Sequence, residues 1–384
     1  MLQKIMENSI PHMNDKAISY KKFNGIDGLI SIADEWKQLV NENDTCEFYH
    51  AYEWYLTYLE HLCDTPDSIF FVCAYENNEL VAIFPLTLTK KKISIVSINI
   101  LSFPFHSHMT LYDFVIAQKH LPTNNLIQDL LSFLEKAENI NWDIACFASV
   151  IEGSNIAKQI DHENINSTLK NTIDKSYSIT CTHDYDETIA HMPGNFRRNV
   201  ARLERKALKQ AEISFDRVTS DDIIKDEFLD TFIDIENESW KGSNNSSIKS
   251  HQSLIGYYKG LANNFKQTTP CIISLLKFND EYIAGQFGIL FNKKVNLLKI
   301  GFKEIHSNIG PGNIIMAHAL RKCTKANDHS TLNIVTAPKW ADKWTNNIKE
   351  VYTYYLFNNS IKGVLTRIIF NTRNHIKKLK NKTS

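Results

Sequence analysis

Long hydrophobic runs are missing from this sequence. No stretch reaches the roughly 18 consecutive apolar residues needed to cross a bilayer, and the richest, Ile93 to Phe105, is broken by Ser94, Ser97, Asn99, Ser102 and Pro104. No membrane-spanning helix is expected. The opening MLQKIMENSIPHMND also lacks the continuous apolar core of a signal peptide, which makes a cytoplasmic location the expectation. An excess of charge of one sign is missing too, since 43 Lys and Arg face 43 Asp and Glu; without a global field to attract polyanions, DNA is not expected as a partner. The cysteines, Cys46, Cys63, Cys73, Cys146, Cys181, Cys271 and Cys323, are odd in number and never at C-x-x-C spacing. Neither a disulfide framework nor a zinc ribbon is signalled, and reduced, packed thiols are expected.

What is present suits a large folded chain: 384 residues, 43% hydrophobic and 11% aromatic, a length that favours two domains over one extended core. IDGLISIADEWKQLV sets Leu29, Ile32, Trp36 and Leu39 at helical spacing, and AYEWYLTYLEHL is a second helical pattern. IFFVCAY, LVAIFPLTL and KISIVSINI are β-branched and aromatic runs separated by Asn77-Asn78 and by Lys90-Lys91-Lys92, and they predict a meander. A strand LYDFVIA, a helix LIQDLLSFLEKA and a strand WDIACFASV follow. The second half repeats the order with the helix SLIGYYKGLANNF, the strands CIISLLKF, YIAGQFGILF and VNLLKIGF, a helix from about Asn313 and the strand LNIVTA. One register superposes Tyr55 on Tyr257, Leu59 on Leu261, Glu79 on Glu281 and Ala82 on Ala284, which predicts an internal duplication. The expectation is an α/β (α+β) chain with domains at 1–178 and 179–384, each a mixed, mostly antiparallel sheet flanked by helices.

Between the halves, GNFRRNVARLERKALKQ carries Phe196, Val200, Leu203 and Leu208 as a stripe among six basic residues. Most of that charge reads as a solvated helix face; Arg197 and Arg198, near the helix start, are the candidates for contact with a phosphate. In VNLLKIGFKEIHSNIGPGNIIMAHALRKC a strand feeds a turn with Gly310 and Gly312 and then a helix. Unpaired amides and the helix dipole converge at such a helix start and favour an anion. The turn is neither a Walker A loop nor G-x-G-x-x-G, and on its pattern alone it is an ordinary Pro-fixed turn.

In its wider setting the meander, turn and helix resemble the central motif of the GNAT N-acetyltransferase superfamily, where this turn holds the pyrophosphate of acyl-coenzyme A. IENESWKGSN from Ile235, FRRNVARLERKAL, the S-x-x-G-P-G turn and ADKW resemble the double-domain FemAB-like acyltransferases, in particular the CelD/BcsL acetyltransferases associated with bacterial cellulose biosynthesis. The resemblance runs from the Trp36 helix to about residue 370. It implies an acetyltransferase with tandem GNAT-like domains and acetyl-CoA or another acyl-CoA as co-substrate, held around Ile300, Ser307, Asn308, Ile309, Gly310, Gly312 and Asn313. The sequence departs from the family at Ser307, where the turn usually begins with Gln or Arg, and at Ala341, where relatives carry lysine; Lys339 or Lys343 could compensate. The two departures also leave room for a catalytically inactive binding protein.

Acyl transfer to an amine needs a base and a donor for the developing oxyanion. The resemblance implies a strand amide between Leu297 and Gly301 as that donor, with Glu236 as the first candidate base and Glu238 the second. Trp240, Lys339 and Trp340 are candidate substrate contacts, and Tyr354, in the strand VYTYYLF, could protonate the leaving thiolate. Position 310 of the second copy falls on His108 of FPFHSHMTLYDF, which has no glycine, so the first copy is expected to shape the acceptor cleft and to hold no cofactor. His106 and His108 lack a third ligand nearby, and no metal is assigned. The expected acceptor is a small molecule or glycan precursor; FemAB-type relatives take aminoacyl-tRNA, so RNA is a partner under that alternative only. The basic run from Arg373, RNHIKKLKNKTS, allows at most a peripheral membrane contact.

Overall fold

The computed structural model describes residues 18–380 apart from 94–95, 123–124, 166–167, 226, 267–268, 326–330 and 337. The N-terminal stretch behind the cytoplasmic expectation lies outside them. Apolar and β-branched runs give the strands β1 Ile18–Asn24, β2 Ile69–Glu76, β3 Glu79–Ile93, β4 Val96–Ser102, β5 Val115–Ile116, β6 Ile144–Ile151, β7 Thr168–Thr180, β8 Ile213–Thr219, β9 Cys271–Phe278, β10 Glu281–Phe291, β11 Lys294–Phe302, β12 Thr331–Ile334 and β13 Ile348–Phe357. They form one sheet, ordered β1-β2-β3-β4-β6-β13-β7-β12-β11-β10-β9-β8, with β5 attached to β3. Helices flank it, so the fold is mixed α/β.

The order reads the same from either end. β1 to β4 and β8 to β11 are antiparallel series, and each closes on a parallel pair, β4 with β6 and β11 with β12. The middle is exchanged: β7 lies between β12 and β13, while β13 pairs with β6. Each half therefore supplies a strand to the other, and the boundary expected at 178 falls inside β7.

Equivalent pieces of the two halves behave alike. The β2–β3 hairpin turns on Asn77 and Asn78 at φ 51° and 66°, and the β9–β10 hairpin turns on Asn279 at φ 53°, a left-handed conformation that asparagine tolerates better than most residues. The helices Tyr52–His61 and Gln252–Asn264 pack on each other. The Trp54 and Tyr257 rings meet edge-on at 6.0 Å, and the Asn264 amide donates to Thr57 Oγ1 at 2.9 Å. Both helices join one apolar cluster that reaches from Trp36 and Phe71 to Tyr258 and Phe287, so the halves share a core.

Three expectations shift. Lys90, Lys91 and Lys92 are not a turn; they stay in β3, paired with Asn99, Ile98 and Ser97, because exposed lysines fit a strand's solvent face as readily as a loop. LYDFVIA yields only β5, since the buried Asp113 bends the chain by accepting from the N–H groups of Phe114, Asn155 and Ile156. The helical pattern from Ile26 is broken at Ile32 into Gly25–Ser31 and Ala33–Asn41. All seven cysteines are free thiols, and among the described residues no helix is long and apolar enough to cross a membrane. The basic run from Arg373 continues the helix Ile361–Lys380; its side chains lie outside the described residues.

Candidate active site

The strand β11 is held differently along its two edges. On one side it pairs with β10 over its whole length, with a register slip that leaves Leu298 opposite no residue. On the other it pairs with β12 only from Lys294 to Leu297. Beyond Leu297 that edge is open, and the divergence forms a notch with a cavity of about 310 Å³. Its walls are Ile300 to Phe302 of β11, the turn residues Ser307 and Gly310 to Asn313, Ser239, and the tryptophans Trp240, Trp340 and Trp344.

The turn is rigid for reasons visible in the chain. A 3₁₀ segment, Glu304–Ile309, buries Ile309 and ends at Gly310 with φ +69°, a value that glycine adopts without strain. Pro311 then opens the helix Pro311–Lys325, where its fixed φ suits the first helical position. The basic helix Gly194–Gln210 braces the turn from behind: Leu203 packs where a Cβ on Gly310 would fall, 2.7 Å from Leu203 Cδ1, and Lys206 Nζ donates to the Asn308 carbonyl at 2.9 Å. At the helix start the Gly312 N–H makes no hydrogen bond among the described residues, and both Gly312 and Asn313 line the cavity. An unpaired amide at the positive end of a 15-residue helix suits an anionic group.

On the open edge, the Ile300 carbonyl points into the notch and accepts from Lys241 Nζ at 2.9 Å. In an antiparallel strand a residue's N–H and C=O point the same way, so the Ile300 N–H is also turned from β10 toward the notch. Lys241 is held in turn by Glu236 Oε1 at 3.0 Å, while Glu236 Oε2 accepts from the Ile248 N–H at 2.8 Å. Gly301 permits this arrangement, since a Cβ there would come within 2.9 Å of Glu236 Cα.

The face of β11 toward the first half carries Lys299. Burial first, and then the Lys241 charge, push its ammonium down to about 8, against an upward pull from Glu236. His108, from the first half, is nearby and bonds the Tyr258 hydroxyl through Nδ1 at 3.0 Å. Burial and the charges of Lys299, His106, Lys241 and His251 push the His108 imidazole down to about 3, which keeps it neutral at physiological pH.

The structure thus brings together Ile300, Ser307, Gly310, Gly312, Asn313, Trp240 and Trp340. Asn308 and Ile309 stand in the turn without lining the cavity, one as an acceptor for Lys206 and the other in the core. Glu236 is fully buried beneath the cavity floor with both oxygens engaged, and Glu238 is exposed and paired with Lys303 at 3.1 Å. Tyr354 is not at the notch: it lies buried in β13 between β6 and β7, its hydroxyl without a hydrogen bond. Arg197 and Arg198 line an adjoining recess with Tyr185 and Arg321, which shares Trp344 with the notch. Lys339 faces a separate shallow recess beside Asp342. Ala341 is buried, while Lys339 and Lys343 are exposed and line no wall of the notch. Sequence reasoning missed Lys241 and Lys299, although a lysine inside the apolar run VNLLKIGF was a legible sign of an unusual environment. Among the described residues no group of three or more His, Cys, Asp and Glu is placed to hold a metal ion.

Residues 194–339 match the family model of the acetyltransferase (GNAT) domain. No curated protein matches the chain by sequence. Among solved structures, FemX superposes with a TM-score of 0.57 at 11% identity, over 85% of this chain and 96% of its own. The C-terminal (DUF2156) domain of a putative lysylphosphatidylglycerol synthetase from Agrobacterium fabrum gives 0.52 at 9% identity, over 88% and 95%. L-PGS from Bacillus licheniformis gives 0.50 at 12%, over 79% and 88%. These are likenesses of fold, and they extend across both halves.

Proposed function

We propose, from a chain whose residues 194–339 are a GNAT acetyltransferase domain, that this acyltransferase takes acetyl or another acyl group from coenzyme A. The recipient is an amine or hydroxyl of a sugar, nucleotide-sugar or cell-envelope precursor. The observation that carries the reading is the notch itself, an open strand edge leading to a helix start where the Gly312 N–H has no partner among the described residues. Bound coenzyme A would supply an activated thioester and an anionic pyrophosphate. The Gly312 backbone amide would meet the pyrophosphate beside the Asn313 side chain, and the open edge of β11 would receive the amide-bearing arm as an added strand.

Transfer forms a bond from the nucleophile to the thioester carbon and breaks the C–S bond; one proton leaves the nucleophile and one is needed by the departing thiolate. We assign the Ile300 N–H to the oxyanion, because Lys241 and the pairing with β10 fix its direction before any ligand arrives. Lys299, one residue away on the acceptor's side, takes the nucleophile's proton as a neutral amine, and the ammonium so formed holds the proton that the thiolate needs. Glu236 acts through Lys241. Trp240 and Trp340 flank the notch and exclude water from it.

The test is a thermal-shift series with acetyl-coenzyme A, longer acyl-coenzymes and free coenzyme A, since a ligand bound by the native state alone raises stability by mass action. A rise with coenzyme A is expected, and its absence at millimolar ligand refutes the reading. The exposed Arg197 and Arg198 in the recess adjoining the notch favour one second reading, in which an aminoacyl-tRNA is the donor. Activity abolished by ribonuclease would identify it.

A further inference from the structure

One region between the halves has no part in the donor site. On three adjacent strands the residues facing the helix Pro311–Lys325 are apolar: Val295 and Leu297 on β11, Leu332 and Ile334 on β12, Tyr177 and Ile179 on β7. Strand alternation turns their neighbours to the opposite face, and all of those are polar except Leu298 and Val335, which close the array at its end. The register sets them in two rows. Lys294 stands beside Thr331 and Thr180, and Asn296 stands beside Asn333 and Ser178. Ser176 extends the array along β7.

These side chains floor a recess of about 230 Å³, with Phe48, Tyr49 and Leu111 of the first half as its roof. A sheet face turned toward the protein interior is ordinarily apolar, because buried polar groups without partners cost free energy. Here the hydrogen-bonding capacity is left open. The hydroxyls of Ser176, Ser178, Thr180, Thr331 and Tyr49 make no hydrogen bond among the described residues, although Ser176 is only 7% and Tyr49 only 4% exposed. Asn296 is fixed by donating to the Ile289 and Lys294 carbonyls, and it accepts from Asn333 Nδ2 at 2.8 Å. That leaves the Asn333 carbonyl oxygen free to receive a donor. The charge within is neutralised, since Lys294 is paired with Glu47 across the two halves; Lys349 stands exposed at the rim. The recess ends where the ladder ends: Asn296 and Asn333 precede the last β11–β12 pair, Leu297 with Ile334, and Val335 lines the wall.

We infer that this recess is the acceptor subsite and that it holds a neutral, polyhydroxylated glycosyl unit, whose reactive group reaches the thioester at the end of the β11–β12 ladder. Alternating hydroxyls and amides without net charge match the alternating donors and acceptors of a sugar ring, and the Tyr49 ring offers an apolar roof to one ring face. The inference rests on the acyltransferase reading given above.

The experiment is saturation-transfer NMR on the full chain with glucosamine at pH 9, where its amine is uncharged, run beside glycine amide and with inorganic phosphate as a competitor, together with the acetyl-coenzyme A thermal shift. Saturation transfer to glucosamine alone is expected. Ser178→Val should weaken it at least tenfold while the acetyl-coenzyme A shift is kept, and Thr180→Val, at an exposed position of the same array, provides a second variant that does not disturb the buried floor. A wild-type protein that binds acetyl-coenzyme A but shows no transfer to glucosamine, or equal transfer to glycine amide, overturns the sugar subsite. So does glucosamine binding unaffected by both variants, or its loss when millimolar phosphate is added. Glucosamine binding without any acetyl-coenzyme A shift overturns the donor reading and leaves the subsite standing.

Discussion

The ammonium of Lys241 sits 2.9 Å from the carbonyl oxygen of Ile300 and fixes the stretch of β11 whose second edge has no strand beside it. The same nitrogen is 3.0 Å from Glu236, whose carboxylate has no exposure. Removing one partner of such a pair leaves a buried charge, at a cost of about 3–5 kcal/mol, whereas replacing both is far milder. Lys241→Met should therefore destabilise strongly in denaturant titrations, and Lys241→Met with Glu236→Gln should recover most of the loss. Turnover should stay low in both, because the Ile300 peptide is no longer held. Full turnover in the double variant would show that Lys241 has no positioning role.

The two glycines of the turn should separate by kind of damage. Alanine at Gly310 meets Leu203 and a positive φ, which costs roughly 1–2 kcal/mol for the backbone alone. Alanine at Gly312 would find only an ordinary 3.5 Å contact with Phe302 and would favour the helix by up to about 1 kcal/mol. Gly310→Ala should lower the melting temperature. Gly312→Ala should keep it or raise it, while the coenzyme A shift falls because the helix start is crowded. His108→Ala should leave that shift intact, and equal losses from His108→Ala and Gly312→Ala would contradict a donor site confined to the second half.

Lys299 predicts a pH signature. Its ammonium lies at about 8, below its ordinary 10.5, so between those values the unfolded chain binds more protons than the folded one. Stability must rise with pH across that window and be lost as pH falls through 8. Lys299→Met removes the ammonium and with it this slope. Unfolding free energies of both proteins at pH 7 and pH 10 should show wild type gaining relative to the variant at the higher pH. Parallel profiles would mean that the ammonium is solvated.

Arg197 and Arg198 make no ion pair among the described residues, in contrast to Arg321, which grips Glu204 through two bonds of 2.6 and 2.9 Å. If they meet a phosphate of the donor, replacing both by Gln should raise its KM about 2- to 30-fold, at about 0.2–1 kcal/mol for each exposed contact. The difference should shrink as salt screens the wild-type attraction. Stability should change by no more than about 0.5 kcal/mol. Unchanged kinetics at low salt would leave them as a solvated helix face.

How much of this was legible in the sequence follows from what local patterns encode. The hairpins β2–β3 and β9–β10, the helix after Gly310 and the repeat itself rest on short-range alternation and turn chemistry, and the sequence reading finds them. β7 escapes it. Its LKNTIDKSYSIT alternates polar with polar over much of its length, because one face floors a hydrophilic recess, and a strand without an apolar stripe gives no period-2 signal. The turn residues of the site were legible through Gly-Pro-Gly. The depth of Glu236 was not legible, since its burial depends on Gly301, a residue 65 positions away. Tyr354 came to attention as a tyrosine in the last strand, but that strand crosses into the other half's sheet, which no local pattern announces.

That crossing bears on how the protein is made. A ribosome delivers the chain from its first residue onward, so β6 emerges with one edge open and β7 with nowhere to lie until β12 and β13 follow. Through most of its synthesis the nascent chain carries an unsatisfied strand edge, the kind of surface on which unrelated chains pair. Neighbouring copies on one polysome can satisfy it by lending each other β13. Expression at high ribosome density should therefore enrich interlocked dimers, while slow initiation should favour the monomer that closes on itself.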